Sequence, residues 1–155
     1  MCKAVIMMGS LSDKSYVDKI AETLSFFDIE CEMRVASAHK TAKKVLKLIN
    51  EYSEQKCVFI TVAGRSNALS GMVDGLTSKP VIASPPVSDK FAGMDILSSL
   101  RMPSGVAPLT VLGAEQCALA AAKIISLANP AVAEKINQYH KKNAEILEKA
   151  DMEVK

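Results

Sequence analysis

Tryptophan is absent from this 155-residue sequence, histidine occurs twice, and no apolar stretch is long enough to cross a bilayer as a helix. We therefore expect no membrane segment. The apolar residues Ala4–Met8 are followed by Gly9 and soon by charged residues, where a signal peptide would continue apolar. They predict a buried strand near the start of a cytoplasmic protein.

Cysteine is also sparse, and its spacing excludes two kinds of site. Cys2, Cys31, Cys57 and Cys117 are far apart, and no Cys-x-x-Cys pair occurs. A disulfide framework or a zinc site would need closer spacings or more histidines. We expect free, buried thiols and no bound metal.

Basic and acidic residues are nearly balanced in the sequence. The 19 basic and 17 acidic residues give a formal net charge of +2, and the basic residues are scattered or lie beside acids. No basic face is implied, so we do not expect nucleic acid as a partner. The length, with 49% hydrophobic and 23% charged residues, predicts one globular domain over residues 1–155.

Apolar residues recur with two periods that alternate along the sequence. Short apolar strands, of which Cys57–Ala63 is the strongest, alternate with residues at helical spacing, such as Val17, Ile20, Ala21 and Leu24. This alternation predicts a doubly wound, three-layer αβα sandwich with a mostly parallel sheet, of flavodoxin-like type. The other predicted elements are strands at Lys3–Met8, Glu30–Ala36, Pro80–Ser84 and Leu109–Leu112, and helices at Ala42–Ile49 and Gly93–Leu100.

Two further helices are predicted towards the C-terminus. Ala114–Ala128 is apolar almost all round, as a helix buried on several sides would be. Pro130 begins an amphipathic helix that runs to about Ala150. A subunit interface would account for both patterns, so we expect the last helix to pack on a neighbouring subunit.

Polar segments follow four of the predicted strands. In an open parallel sheet, ligands bind beyond the carboxyl ends of the strands, near the point where the strand order reverses. The residues that follow the strands should therefore meet at one edge of the sheet. The segments are Gly9–Asp13, Ser37–Lys40, Gly64–Asn67 and Ser84–Pro86.

The first of these segments combines a glycine, two hydroxyls and the unpaired amides of a helix N-terminus, which favour a phosphate. We expect Ser10 and Ser12 to donate hydrogen bonds to it. Asp13 would repel a phosphate, so we assign it to the sugar hydroxyls of a phosphoribosyl group. The alternative is that Ser12 or Asp13 caps the helix.

The second segment places His39 beside Lys40. A histidine can move a proton in either direction near neutral pH, and a lysine can pair with phosphate. The alternative is that His39 caps the next helix or bonds to backbone. His140 lies on a lysine-rich amphipathic helix and is interpreted as a surface residue.

In the third segment, Gly64 lets the backbone approach a ligand and Arg65, Ser66 and Asn67 supply donors, although an ordinary polar turn would look the same. No pair of carboxylates flanks a plausible cleft, and no serine lies in a Gly-x-Ser-x-Gly elbow. Covalent catalysis is therefore disfavoured, and acid–base chemistry through His39 remains.

Taken in order, these segments resemble the phosphoribosylaminoimidazole carboxylase family of purine biosynthesis, whose small members consist of one domain. The resemblance covers nearly the whole sequence. The matching pieces are Met8–Asp13, Ser37–Lys40, Ala63–Leu69, Ser84–Pro86 and Ser98–Gly105.

The family has two branches, and this sequence is similar to the one that carboxylates 5-aminoimidazole ribonucleotide (AIR) directly with carbon dioxide, giving 4-carboxy-AIR (CAIR). The other branch is a mutase, which moves a carboxylate of N5-carboxyaminoimidazole ribonucleotide from the exocyclic amine to the ring carbon. It typically carries Ser-Ala-His-Arg and a Gly-Gly-Ala-Ala-His-Leu loop. Here Lys40 replaces the arginine, and Gly64–Leu69 lacks the loop histidine. We expect the carboxylase, with the mutase as the alternative.

The resemblance implies a reaction without metal or cofactor, in which the ring carbon of AIR attacks carbon dioxide and His39 removes the proton from that carbon. It also implies a homo-oligomer, an octamer or a tetramer, with sites at subunit boundaries. By position in the motifs, Ser10, Asp13, Ser37 and Lys40 would bind the ribose phosphate, and Gly64 and Ser66 would border the base and carbon dioxide. Further candidates for the pocket wall are Gly9, Ser12, Ala38, Ala63, Arg65 and Asn67.

A flavodoxin-like signalling or ligand-sensing module is the rival from another class, because fold alone does not choose function. A phosphorelay receiver should have acids at the ends of its first and third strands. The corresponding residues here are Met7–Ser10 and Val62–Arg65, which include no carboxylate.

Overall fold

The computed structural model describes residues 2–154 and is centred on a five-stranded sheet. All neighbouring strands are parallel, in the order β2-β1-β3-β4-β5. The strand order reverses between β1 and β3, which is the flavodoxin-like arrangement and confirms the predicted fold class. The strands are β1 (Lys3–Met8), β2 (Cys31–Val35), β3 (Cys57–Val62), β4 (Val81–Ala83) and β5 (Leu109–Thr110).

Helices cover both faces of the sheet because alternate residues of the central strands point to opposite sides. Ala4, Ile6 and Met8 of β1 belong to the cluster that also takes in residues of α1, α5 and α6, whereas Val5 and Met7 belong to the cluster with α2 and α3. The helices are α1 (Lys14–Phe26), α2 (Ala42–Glu51), α3 (Ala68–Asp74), α4 (Leu97–Leu100), α5 (Ala114–Ser126) and α6 (Pro130–Glu153).

The sequence pattern missed or misplaced three elements. Helix α3 was not predicted, because it is short, contains Gly71 and buries few apolar side chains. The predicted strand Leu109–Leu112 shrinks to two residues. The predicted helix Gly93–Leu100 is α-helical only from Leu97, since Gly93 has a positive φ.

Helix α5 is buried as its composition predicted, and Cys117 and Ala121 are fully buried. Helix α6 differs, because only Val132 and Ile136 are buried and every described residue from Lys141 onward is exposed. The protomer core therefore uses only the first part of α6. Whether the rest packs on a neighbouring subunit stays a prediction.

The four thiols are free. Cys57 and Cys117 are buried, while Cys2 and Cys31 are half-buried. Burial raises the pKa of all four, and that of Cys117 to about 11. Within residues 2–154, no helix is long and apolar enough to cross a membrane.

Polar side chains of the edge strand β2 join the sheet to the end of α2. The Tyr52 hydroxyl donates to Glu32 at 2.6 Å and accepts from Arg34 at 2.8 Å, while Lys3 pairs with Glu32. The guanidinium of Arg34 also donates to Glu51. Because Tyr52 is only 1% exposed, its hydroxyl depends on these partners rather than on water.

Candidate active site

Three loops enclose a cavity of about 380 Å³ beyond the carboxyl ends of β1, β2 and β3. This is the point where the strand order reverses, which is where an open parallel sheet binds its ligands. The structure therefore brings together the first three predicted segments. The cavity is lined by Gly9, Ser10, Ser12, Asp13, Ser37, Ala38, His39, Lys40, Ala63, Gly64, Arg65, Ser66 and Leu69.

The loop after β1 forms a 3₁₀ turn, Leu11–Asp13, that runs directly into α1. Ser10 caps this turn, and its Oγ accepts from the amide of Ser12 at 3.2 Å and from the hydroxyl of Ser12 at 2.9 Å. The hydroxyl hydrogen of Ser10 itself can still be donated to a ligand in the cavity. The capping side chain is thus that of Ser10, and not that of Ser12 or Asp13 as the alternative had it.

Asp13 occupies the N-cap position of α1, but its side chain makes no capping hydrogen bond. Burial raises the pKa of its carboxyl group, and a hydrogen bond with the backbone of Ser10 partly offsets this. The carboxylate lines the cavity instead of capping the helix. It can accept hydrogen bonds from hydroxyl groups of a ligand.

The loop after β2 is closed by hydrogen bonds between Ser37 and Thr41. The Ser37 amide donates to Thr41 Oγ1 at 2.9 Å, and the Thr41 amide donates to the Ser37 carbonyl at 2.9 Å. Thr41, not His39, is the N-cap residue of α2. This contradicts the alternative in which His39 caps the helix, and the closed turn leaves His39 and Lys40 exposed at the cavity wall.

The loop after β3 approaches the loop after β1 very closely. The amide of Gly9 donates to the Val62 carbonyl at 2.9 Å, and a Cβ on Gly9 would lie 3.4 Å from the Cβ of Ala63. The two loops are therefore close enough that a side chain at position 9 would contact Ala63. Beyond Gly64, Arg65 has a left-handed backbone with φ of 56°.

Asn67 does not line this cavity, although the sequence made it a candidate for the pocket wall. It is 2% exposed and caps α3, since its Oδ1 accepts from the Ser70 amide at 3.2 Å. Leu69, which the sequence had not singled out as a site residue, supplies an apolar part of the wall. Its position at the start of the unpredicted helix α3 is the reason it was missed.

The fourth predicted segment lies at a second, smaller cavity of about 200 Å³. Pro85 and Pro86 line it, and Ala63, Gly64 and Arg65 line both cavities. The two spaces are therefore neighbours across the loop after β3. The remaining residues of the second cavity are Val87, Ser88, Gly93, Asp95, Ile96 and Leu112.

The first cavity combines a titratable imidazole with groups that suit a phosphorylated sugar. Lys40 and Arg65 are cationic, Asp13 is the one carboxylate among the lining residues, and His39 is their one histidine. Serine hydroxyls and the cations suit a phosphate, and the carboxylate suits sugar hydroxyls. An arrangement of this kind can hold a sugar phosphate while His39 moves a proton.

A sequence model of the AIR carboxylase family matches residues 3–146. The phosphoribosylaminoimidazole carboxylase of Archaeoglobus fulgidus is 60% identical over 153 residues, covering 99% of this chain and 85% of the relative. That of Treponema denticola is 47% identical over 153 residues, covering 97% and 96%. The crystal structure of Treponema denticola PurE superposes with a TM-score of 0.97 at 46% identity, covering 100% of this chain and 99% of the other.

Proposed function

Since the chain belongs to the AIR carboxylase family, we propose that it uses carbon dioxide directly to convert AIR into CAIR, with His39 as the proton carrier. The chain is an enzyme of purine biosynthesis that carboxylates AIR. The observation that carries the proposed mechanism is the placement of His39 and Lys40 in one cavity with the Ser10–Asp13 loop.

The substrate is placed in the cavity by charge. The phosphate binds the hydroxyl of Ser10, the backbone at the start of α1 and the ammonium group of Lys40. Asp13 accepts hydrogen bonds from the ribose hydroxyls, and Ser37, whose Oγ already accepts from the Lys40 amide at 3.3 Å, can donate its hydrogen to the ligand. The base then lies towards Gly64 and Ser66, on the far side of the cavity.

In the reaction, the electron-rich ring carbon forms a bond to the carbon of carbon dioxide, and one C=O π pair moves to oxygen to give a carboxylate. The ring carbon then carries both hydrogen and carboxylate. The imidazole of His39 takes that proton, the electron pair of the C–H bond returns to the ring, and the proton later passes to solvent. In the reverse direction, the imidazolium returns the proton and carbon dioxide leaves.

Direct use of carbon dioxide is favoured over the mutase reaction by the loop after β3. The mutase branch, by resemblance, has a histidine in this loop, whereas here Gly64, Arg65 and Ser66 line the cavity and His39 is the one histidine among its lining residues.

The experiment supplies AIR with bicarbonate as the source of carbon dioxide and follows the ultraviolet absorbance of CAIR. A parallel reaction supplies N5-carboxyaminoimidazole ribonucleotide. Turnover in the first reaction supports the carboxylase. Rapid turnover in the second, without any in the first, would establish the mutase instead.

We also propose that the enzyme is a cytoplasmic homo-oligomer, an octamer or a tetramer, with α6 packed on a neighbouring subunit. The exposed apolar side chains of α6 support this, since Ile146 is 55% exposed, Leu147 72% and Met152 68%. Light scattering coupled to size exclusion gives the number of subunits. A monomer at micromolar concentration would contradict the proposal.

A further inference from the structure

The loop after β3 is held in place by a distant segment of the chain. The amide of Arg65 donates to Oδ2 of Asp95 at 3.2 Å. Two residues further on, the amide of Asn67 donates to Oγ of Ser98 at 2.9 Å, and its side-chain amide donates to Oγ of Ser99 at 3.0 Å. Residues 95–99 thus contact the loop through successive hydrogen bonds.

Asp95 and Ser98 are themselves linked, because the Ser98 hydroxyl donates to the Asp95 carbonyl at 2.7 Å. The Thr110 hydroxyl donates to the carbonyl of Ser99 at 3.0 Å, which joins the same segment to β5. Residues 95–99, which hold the loop after β3, are therefore bonded to the sheet. Asp95 is the charged residue among them.

The hydrogen bond from the Arg65 amide to Asp95 stabilises an unfavourable backbone conformation at Arg65. Arg65 has a φ of 56°, in the left-handed region that residues with a Cβ avoid. A carboxylate is a strong acceptor for an amide, so it can stabilise a turn that the residue itself disfavours. Gly64 and Ser66, on either side of Arg65, both line the larger cavity and follow the conformation of this turn.

Asp95 lines the smaller cavity and is absent from the lining of the larger one. It therefore acts on the substrate cavity through the backbone of Arg65, which borders both cavities. Nothing in this geometry requires Asp95 to touch the substrate.

We propose that Asp95 is a positioning residue for carboxylation, which holds the left-handed turn at Arg65 so that Gly64 and Ser66 stay aligned with the reacting ring carbon. The inference rests on the proposed function. The proposed phosphate and ribose contacts come from the loops after β1 and β2, whereas the carboxylate of Asp95 accepts from the loop after β3. Loss of the Arg65–Asp95 bond should consequently lower kcat and leave KM for AIR nearly unchanged.

The test compares three variants with the wild type in the AIR carboxylation assay. Asp95→Ala removes the acceptor of the Arg65 amide. We expect kcat to fall about tenfold or more, because a small misplacement of reacting groups slows the reaction by factors of this size. KM for AIR should stay within about threefold of the wild-type value. Asp95→Asn retains an oxygen acceptor and should stay within about threefold of the wild type in kcat. Asp74→Ala is the matched control, because Oδ2 of Asp74 accepts from the Ala107 amide at 2.7 Å and Asp74 lines neither cavity.

A double-mutant cycle tests the backbone argument directly. Glycine adopts a positive φ without cost, so a turn with Gly at position 65 does not depend on the carboxylate. In an Arg65→Gly background, Asp95→Ala should therefore cost about threefold or less in kcat. The double variant is compared with Arg65→Gly alone. Both proteins lack the Arg65 side chain, so its loss does not affect the ratio of their kcat values.

Four results would overturn the proposal. The first is a kcat of Asp95→Ala within threefold of the wild type. The second and third are a loss of kcat in Asp74→Ala, or in Asp95→Asn, as large as that in Asp95→Ala. The fourth is a loss of kcat on Asp95→Ala that is the same in the wild-type and the Arg65→Gly backgrounds. If Asp95→Ala does not fold, Asp95→Leu replaces it in both backgrounds, with an expected loss of kcat of about tenfold or more when Arg65 is present and about threefold or less in the Arg65→Gly background.

Failure of the proposed function would be seen separately, as an inactive wild type. Crystal structures of the wild type and of Asp95→Ala then test the positioning role alone. A φ at Arg65 that leaves the positive region in the variant supports the role of Asp95, and an unchanged turn contradicts it.

Discussion

The hydroxyl of Tyr16 lies 2.9 Å from Oγ of Ser84, which links α1 to the residue that follows β4. Ser84 is fully buried and precedes Pro85 and Pro86, which line the smaller cavity. Burial raises the pKa of Tyr16, and the hydrogen bond to Ser84 partly offsets this. One hydrogen bond thus connects α1, which follows the Gly9–Asp13 loop of the larger cavity, with the loop that lines the smaller cavity.

Tyr16→Phe removes this hydrogen bond and leaves the buried Ser84 hydroxyl with one partner fewer. We expect the free energy of unfolding to fall by about 1 kcal/mol, measured by urea denaturation. Tyr139→Phe is the matched control, because the ring of Tyr139 packs edge-on against Phe26 and Phe27 and phenylalanine retains that packing. An equal loss in both variants would show that the bond to Ser84 has no particular role.

His39→Asn should retain AIR binding and lower turnover by a factor of about a hundred or more, which is the usual range for a lost acid–base group. Binding is measured by isothermal titration and turnover by CAIR formation. His140→Asn makes the same change on the exposed surface of α6 and should leave turnover unaltered. Near-normal turnover in His39→Asn would exclude this residue as the proton carrier.

Lys40→Ala should raise KM for AIR by about tenfold or more, because a charge-assisted hydrogen bond to phosphate contributes about 1.5–3 kcal/mol. Lys43→Ala, on the exposed surface of α2 and outside the cavity, should leave KM unchanged. The decisive measurement is binding of the nucleoside that lacks the phosphate. If Lys40→Ala weakens that ligand by the same factor, Lys40 does not bind the phosphate.

Stability should depend on alkaline pH through Tyr52. Burial, together with the hydrogen bond to Glu32, raises the pKa of Tyr52 from 10.0 to about 12. Below about pH 10 both states keep the phenol proton, and between about pH 10 and 12 only the unfolded state releases it. The contribution of this shift to the free energy of unfolding, about 3 kcal/mol, is therefore complete below about pH 10 and is lost as the pH rises towards 12.

Tyr52→Phe should accordingly be less stable than the wild type at about pH 8, because it lacks the bonds to Glu32 and Arg34. Its stability should also fall less steeply between about pH 9.5 and 11. Urea midpoints across this range give both quantities. Parallel curves for the two proteins would show that Tyr52 does not titrate differently on folding.

Much of the fold could be predicted because buried parallel strands and amphipathic helices have strong apolar patterns. Cys57–Val62 is buried along its whole length, and Val17, Ile20 and Leu24 form the buried stripe of α1, as their spacing indicated. Helix α3 carries no such pattern because it has seven residues and buries only Leu69, Ser70 and Val73. The turns over Lys90–Ile96 carry none because Phe91, Ala92 and Gly93 have positive φ, which apolar periodicity does not predict.

The candidate site likewise includes residues that the sequence predicted and residues that it missed or misassigned. Residues directly after a strand, such as Ser10, His39 and Gly64, were placed by topology alone, and the structure brings them to one cavity. Asn67 was misassigned because a polar side chain after a strand can either face a ligand or cap the next helix. Asp95 gave no signal, because its contact with Arg65 spans 30 positions in the sequence.

The proposed packing of α6 on a neighbouring subunit implies that the helix content of this chain depends on the protein concentration. From Lys141 to Glu153 the helix has no buried side chain, and an isolated helix of that length is marginal in water. In the proposed oligomer, contacts with a neighbouring subunit stabilise this part of the helix. Dilution below the dissociation constant of the proposed oligomer should reduce the far-ultraviolet helical signal by the equivalent of about three and a half turns, while the near-ultraviolet signal of the folded core stays constant.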